Sequence, residues 1–376
     1  MIVARSDWSP DATYMSFKAG DNFWSHSHLD QGAFTLYKGG GLALDSGFYG
    51  PQYGSDHHMN YTYQSIAHNL VTVTDPADNA LSEGKRARLI ANDGGQRRIG
   101  SGWGLASAPI DVSDWEDQRA LYHAGKIQHY FADQDSVVAV SDVTPAYTNS
   151  QSGSGEFSHR TRRVERLWRT FIYDRASDVI IVRDLVSSTR AEFQKRWLLH
   201  TANQPVIDGN RFSIRLSPNA SLNHAGGQLS AHVLLPAQAR LHAVGGPGFE
   251  FWVDGKNYDE NGTLAAVIAQ RKSAEPGNWR MEVTPPTLQR EDEFLVVLVP
   301  RTSSLAPVPI IRKIEQGNMH GVELIGVGAT RRWWFTPEHN DVTLETAAGR
   351  RSIYVQSGDA TDGTLWERFL QWWRAP

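Results

Sequence analysis

The chain has 376 residues, with 37 Lys plus Arg against 41 Asp plus Glu, and no Cys. This near-balanced, scattered charge excludes the basic stripe of a nucleic-acid or acidic-membrane binder. The absence of thiols excludes disulfides, thiolate zinc sites and cysteine nucleophiles, so His, Asp and Glu are the side chains left to bind a metal.

At roughly 150 residues per domain the length allows two units, or one very large all-β unit. The N-terminal stretch MIVARSDWSPDATYMSFKAG has no apolar h-region and is not expected to be a signal peptide. No apolar run reaches the ~18 residues of a spanning helix, so no membrane span is expected. Short runs that alternate apolar with polar residues, or are β-branched and bounded by Gly, Pro, Asn and Asp, predict strands. In chain order these fall at 13–18, 33–37, 42–44, 69–74, 86–92, 127–131, 137–143, 164–173, 179–185 and 193–200. They continue at 211–216, 230–235, 241–244, 280–283, 292–299, 310–314, 321–327, 331–335, 341–345 and 352–356. The one amphipathic helix predicted is the tail, 363–373, where Leu365, Phe369, Leu370 and Trp373 fall at helical spacing. Strands without helical crossovers predict an all-β fold: a large antiparallel multi-stranded β-sandwich (a supersandwich) with a short C-terminal helix. NSQSGSG at 149–155 reads as a loop, and SSLAPVP at 303–309 as a boundary. That divides a main β-sandwich module, 1–302, from a smaller C-terminal β-region with the terminal helix, 303–376; the alternative is that the two are continuous.

The chemistry concentrates in HSHLDQGAF, residues 26–34. Taken as a strand leaving the Gly20–Asn22 turn, it places His26, His28 and Asp30 on one face. Asp45 follows at a strand tip in LALDSGFYG, and His68 precedes a β-branched strand in SIAHNLVTV. His28, Asp45 and His68 make a two-His, one-carboxylate set suited to Zn²⁺ or a similar divalent ion. The competing reading is that each is an ordinary hydrogen-bonded residue, a common outcome in a chain with 14 His. Asp30 is a candidate to orient an imidazole from behind the ligands. His57 and His58 lead into Asn60 and Tyr61; His58 and Asn60 are candidates to extend the site toward substrate, against a solvated loop. Arg162, within HRTRRVER, is a candidate clamp for carboxylate or sulfate, against a solvated edge. Trp103 and Trp115 are candidates for a sugar platform or for core packing. GGPG at 245–248 has no Lys-Ser/Thr after it and reads as a tight turn.

HSHLDQGAFTLYKGGGLALDSGFYG followed by HMNYTYQSIAHNLVTV resembles the heparinase II/III-like module of polysaccharide lyases. Weaker similarity runs through RLWRTFIYDRASDVIIVRD, RWLLH, GGPGFEFWVDGKNY and GNWRMEVTP, toward the heparinase II and oligoalginate lyase branches. The resemblance implies β-elimination on a uronic-acid-containing anionic polysaccharide, alginate-like or glycosaminoglycan-like. It implies His26 as the catalytic His, and His28, Asp45 and His68 as ligands of a structural Zn²⁺. Tyr61 and Tyr63 would border the cleft, and would act as base and acid in a minimal variant. In the resembling family a helical α/α-toroid domain precedes the module and supplies part of the active site; this chain begins where the β-module begins. The expected partners are therefore the anionic polysaccharide and a toroid domain or partner chain, and the expected location of a bacterial protein of this kind is periplasmic or secreted. Two other functions compete: a non-catalytic metal-braced β-sandwich for carbohydrate binding or partner docking, and a zinc hydrolase, disfavoured because no HExxH or equivalent Glu stands beside the ligands.

Overall fold

The computed structural model describes residues 1–22, 27–48, 54–76, 94–96, 109–147, 162–260, 275–302, 308–326 and 329–356. Its strands are β1 (Ile2–Arg5), β2 (Tyr14–Phe17), β3 (Phe34–Tyr37), β4 (Gly41–Ala43), β5 (Val71–Thr74), β6 (Lys126–Ala132), β7 (Ser136–Asp142) and β8 (Val164–Asp174). Next come β9 (Val179–Ser188), β10 (Gln194–Thr201), β11 (Val206–Asp208), β12 (Arg211–Arg215), β13 (Gln228–Leu235), β14 (Arg240–Gly245), β15 (Trp252–Val253) and β16 (Lys256–Asn257). The last are β17 (Trp279–Thr284), β18 (Glu291–Arg301), β19 (Ile310–Gln316), β20 (Met319–Ile325), β21 (Thr330–Phe335), β22 (Val342–Thr346) and β23 (Gly349–Tyr354). The fold is all-β, as the sequence predicts, and the pairings are antiparallel throughout. The predicted strand 86–92, the loop 149–155, most of the boundary segment and the helix 363–373 lie outside the described residues.

Three layers result. An eight-stranded sheet, ordered β11-β12-β13-β18-β9-β8-β7-β6, forms the middle. The four-stranded sheets β1-β2-β3-β4 and β14-β17-β10-β5 cover its inner face, and the five-stranded sheet β19-β20-β21-β22-β23 covers the outer one. Side chains alternate across a strand, so a strand buried on both sides reads as continuously apolar. In β18, Phe294, Val296 and Leu298 enter the inner core while Leu295, Val297 and Val299 enter the outer one. The C-terminal sheet is further tied to the middle sheet by Asp174, whose Oδ2 accepts from Arg331 Nε and Trp333 Nε1, each at 2.7 Å.

A fully buried charge pair lies inside the inner core. Arg169 on β8 and Asp184 on β9 are cross-strand neighbours, both essentially without solvent contact. Their contact is bidentate, at 2.6 and 2.8 Å, the geometry that favours a guanidinium–carboxylate pair. Arg169 Nη1 also donates to the carbonyls of Gly32 at 2.5 Å and Asn69 at 2.9 Å. The pair thus fastens two inter-strand segments, around 32 and around 69, to the middle sheet. Removing one member leaves the other charge buried and uncompensated. Arg169→Met is expected to lower the unfolding free energy by about 3–5 kcal/mol, read as a lower urea midpoint at unchanged slope; a midpoint like wild type would contradict it.

Candidate functional site

The segments that the ion pair fastens carry most of the predicted site. Residues 27–33 are not the strand expected from their alternation; the backbone there bonds to loops instead of to a ladder. Lys18 and Gly32 close the segment at its base, with Lys18 N donating to Ala33 O and Gly32 N to Lys18 O. Leu29 N donates to Tyr63 O at 2.9 Å, and Ser65 Oγ to Leu29 O at 2.7 Å. His26 lies outside the described residues.

Asp45 follows β4, where Leu44 forms a single bridge to His200 at the end of β10. Ser46 N then donates to Ala67 O, and Gly47 N to Pro276 O. Gly47 has φ +77, and a Cβ there would stand 2.6 Å from Thr62 Oγ1 and 2.9 Å from His57 Nε2, so only glycine lets this turn approach the neighbouring loop. That loop holds a π-helical turn, His58–Thr62, and a 3-10 turn, Ser65–Ala67, that delivers His68 and Asn69. Asn69 is a clamp: its Nδ2 donates to Phe34 O and Leu44 O, and its Oδ1 accepts from His200 N at 2.7 Å.

These turns bring His28, Asp45 and His68 together. His68 Nδ1 lies 3.1 Å from Asp45 Oδ1, and the His28 and His68 rings are 5.2 Å apart. His68 is fully buried while Asp45 is 53 % exposed, so the carboxylate marks the open side. His68 Nε2 is a buried nitrogen with no hydrogen-bond partner among the described atoms. Burial alone would depress the His68 pKa, but the Asp45 carboxylate outweighs it and the net direction is upward. For Asp45, loss of water on its protein-facing side opposes ionisation and the adjacent His68 outweighs that, holding the carboxyl below its ordinary value. Burial first, then His68, push His28 down to about 3.

The donor chemistry fits a divalent ion: two imidazoles, one carboxylate and no thiolate. Donors sharing a tetrahedral ion at ~2.0–2.1 Å stand roughly 3.3 Å apart, close to the 3.1 Å between His68 and Asp45. As placed, no group of three His, Asp or Glu among the described residues is close enough to hold an ion. Asp30 lies behind this cluster, paired with Lys18 at 2.6 Å.

The other predicted residues sort by burial. Tyr61 is wholly buried, its hydroxyl 2.8 Å from Ser46 Oγ, and burial raises its pKa. Tyr63 is 2 % exposed, packed edge-on to His28 and against His58. His58 accepts from Gly54 N, and Asn60 donates to Asp56. Both are buried rather than solvated loop residues. Arg162, half exposed, donates to Val164 O and pairs with Glu165 at 3.3 Å. Trp115 carries Arg119 over its ring; Trp103 lies outside the described residues.

Three contributors were not anticipated from the sequence. Lys18 neutralises Asp30, and Ser46 fixes Tyr61. The hairpin of β15 and β16 packs Phe251, Val253 and Tyr258 against Tyr61 and Ile66, and Lys256 pairs with Asp56. Its turn, Asp254-Gly255, has positive φ at both residues, the signature of a tight two-residue hairpin. That dipeptide was the available signal.

The heparinase II/III-like, C-terminal family matches residues 2–245. No curated protein matches the sequence. Among solved structures, a heparinase III (the BT4657 gene product) superposes with TM-score 0.54 at 14 % identity, covering 89 % of this chain and 40 % of that one. The heparan sulfate lyase HepC from Pedobacter heparinus gives TM-score 0.51 at 15 % identity, covering 94 % and 40 %. The chain therefore spans about 40 % of the length of these structural relatives. At such identity the likeness is one of fold.

The buried imidazoles set a pH dependence in the metal-free protein. His28 is held down to about 3 and His57, by burial, to about 4, whereas the unfolded chain protonates each near ~6.5. Their contribution to stability is complete above ~6.5 and falls as pH drops toward those folded values. His68, shifted upward, acts oppositely: its contribution is present below ~6.5 and is lost as pH rises through its folded pKa. Ring ¹⁵N shifts at about pH 5 are expected to show His28 and His57 neutral; imidazolium shifts for both would contradict this environment.

Proposed function

Because the chain belongs to the heparinase II/III-like family, in its C-terminal module, we propose that it is the β-sandwich part of a polysaccharide lyase cleaving a uronic-acid-containing anionic polysaccharide, alginate-like or glycosaminoglycan-like, by β-elimination. The observation that carries this reading is the meeting of His28, Asp45 and His68 at one end of the sandwich, within the residues the family matches. In such a reaction a base takes the proton from C5 beside the carboxylate. The electron pair forms the C4–C5 double bond, the C4–O bond breaks, and an acid protonates the departing oxygen. The C5 proton is weakly acidic, so the uronate charge must be neutralised and both proton-transfer groups held against the ring.

His26 is the proposed proton-transfer or charge-neutralising residue. His28, Asp45 and His68 are the proposed ligands of Zn²⁺ or a similar divalent ion, which when bound supplies a fixed positive charge that braces the loops. Asp30, held by Lys18, is the proposed residue that orients an imidazole from behind the ligands. Arg162, half exposed, is the proposed substrate contact; the burial of His58 and Asn60 fits bracing of the loop better than direct contact with a polymer. Tyr63 is placed to bear on His28 from the loop side. Tyr61, whose hydroxyl is engaged by Ser46, is a poor candidate for proton transfer and a good one for bracing the turn. The burial of both tyrosines favours a second source of proton-transfer groups, a helical toroid domain or partner chain. It equally supports a second reading, a non-catalytic metal-braced sandwich that binds carbohydrate or docks on such a partner. A substrate of this class would be met in the periplasm or outside the cell, the location proposed for the protein; no helix among the described residues is long and apolar enough to cross a membrane.

The purified chain, alone and with a helical toroid domain supplied in trans, is to be incubated with alginate, heparan sulfate and other uronides while the ultraviolet absorbance of the unsaturated product is followed. Product is expected on at least one polymer, falling ~10²–10⁴-fold in His26→Ala. No product with any polymer under either condition leaves the non-catalytic reading.

A further inference from the structure

Beyond the predicted cluster, the outward face of the sheet β14-β17-β10-β5 carries a second concavity of about 510 Å³, inside the ~300–1,000 Å³ range of small-molecule sites. Arg196, His242, Glu282, Phe249, Trp252 and Trp279 line it. Its aromatic wall follows directly on the residues that the family matches.

The wall is built rather than accidental. Phe249 is 49 % exposed, and its ring sits 4.7 Å from that of Trp252, tilted by 51°. Trp279 lies on the turn of the GGPG stretch: Gly246 has φ +76, and a Cβ there would stand 2.6 Å from the Trp279 ring. The glycine therefore lets an indole lie flat on the main chain. Such amphipathic rings present an apolar face at low cost in side-chain freedom.

The floor is polar and charged. Glu282 accepts from Arg280 Nε and Nη2 at 2.9 and 2.8 Å, and Arg280 Nη1 donates to Trp252 O, which fixes the wall to the floor. Arg196 approaches the same Glu282 at 3.6 Å, so two guanidinium groups share one carboxylate. Arg196 donates once to Gln194, and a guanidinium has five N–H donors in a fork that matches a carboxylate. His242, opposite Glu282 in the strand register, is exposed on the same face. Asp254 is the negative group at the rim, in the hairpin turn.

We infer that this concavity binds a uronate-bearing oligosaccharide, with the sugar's apolar face on Phe249 and Trp252 and its carboxylate toward Arg196. The anionic character of the ligand rests on the proposed lyase reading; the sugar class rests on the aromatic wall and polar floor. A site of this kind would hold a second stretch of the polymer away from the His28, Asp45 and His68 cluster.

The test is calorimetric titration of the full chain carrying His26→Ala, so that turnover does not blur binding, with a glucuronate-containing tetrasaccharide, a mannuronate tetrasaccharide and neutral cellotetraose. At least one uronate probe is expected to bind ~10-fold or more tightly than cellotetraose, and Phe249→Ala with Trp252→Ala to weaken it by ~10-fold or more. Arg196→Gln is expected to weaken the uronate probe and leave cellotetraose unchanged. Phe249→Ala alone, at a half-exposed position, guards against a misfolded double variant and is expected to weaken binding several-fold. Absence of binding by both uronate probes, cellotetraose binding as tightly, or unchanged affinity in the aromatic variants would each overturn the inference. Because binding is read without turnover, uronate binding together with no unsaturated product from the wild-type chain, alone or with the toroid domain, would sink the lyase reading and leave this site standing.

Discussion

The structure turns on the buried Arg169–Asp184 pair. Two opposite charges withdrawn from water are tolerable only when their geometry is good and their remaining donors are satisfied. Here the guanidinium is bidentate to Asp184 and also donates to the carbonyls of Gly32 and Asn69. A requirement of the core, full satisfaction of Arg169, is thereby met by loops that cross the end of the sandwich. Those loops carry His28 and His68.

From that anchor the order propagates through backbone polar groups that have no strand partner. Asn69 takes up the carbonyls of Phe34 and Leu44 and the amide of His200, and so sets the end of β4, where Asp45 emerges, against the segment that delivers His68. The hairpin of β15 and β16 closes the other side, packing on Tyr61 and Ile66. Rigid sheets thus position a site made almost entirely of loops, the usual division of labour between scaffold and function. The cluster has two electrostatic halves: a buried neutral imidazole, His28, and a coupled His68–Asp45 pair with its carboxylate facing outward. That asymmetry suits a bound cation, which would stand where His68 and Asp45 now contact each other.

The all-β class was legible because alternation and turn residues act locally; the middle layer was not anticipated, although the run Phe294–Val299, apolar on both faces, carried its signal. The strand expected across His26–Asp30 was not found in the described part, 27–33, because period-two alternation cannot distinguish a strand from a loop whose amides are taken by Tyr63 and Gln96 and one of whose carbonyls is taken by Ser65. The trio His28, Asp45 and His68 was legible as candidates, from donor chemistry at strand tips. Their mutual distances depend on Arg169 and Asn69, whose partners are remote in sequence, and no spacing argument reaches them. The two-residue strands β15 and β16 are too short for any periodicity, yet the Asp254-Gly255 turn between them was a sufficient local sign. Burial of Tyr61 was invisible for the same reason, since its cover comes from residues about 190 positions away.

Sandwich packing is proposed to hold His28, Asp45 and His68 near enough to close on one divalent ion. Anomalous diffraction from crystals grown with zinc, at energies just above and below the zinc edge, tests it most directly. One peak is expected within about 2.0–2.3 Å of donor atoms of all three residues, abolished by His68→Ala. Crystals of the wild-type chain with no peak there, or with the ion bound elsewhere while His68 and Asp45 stay hydrogen bonded to each other, would contradict it.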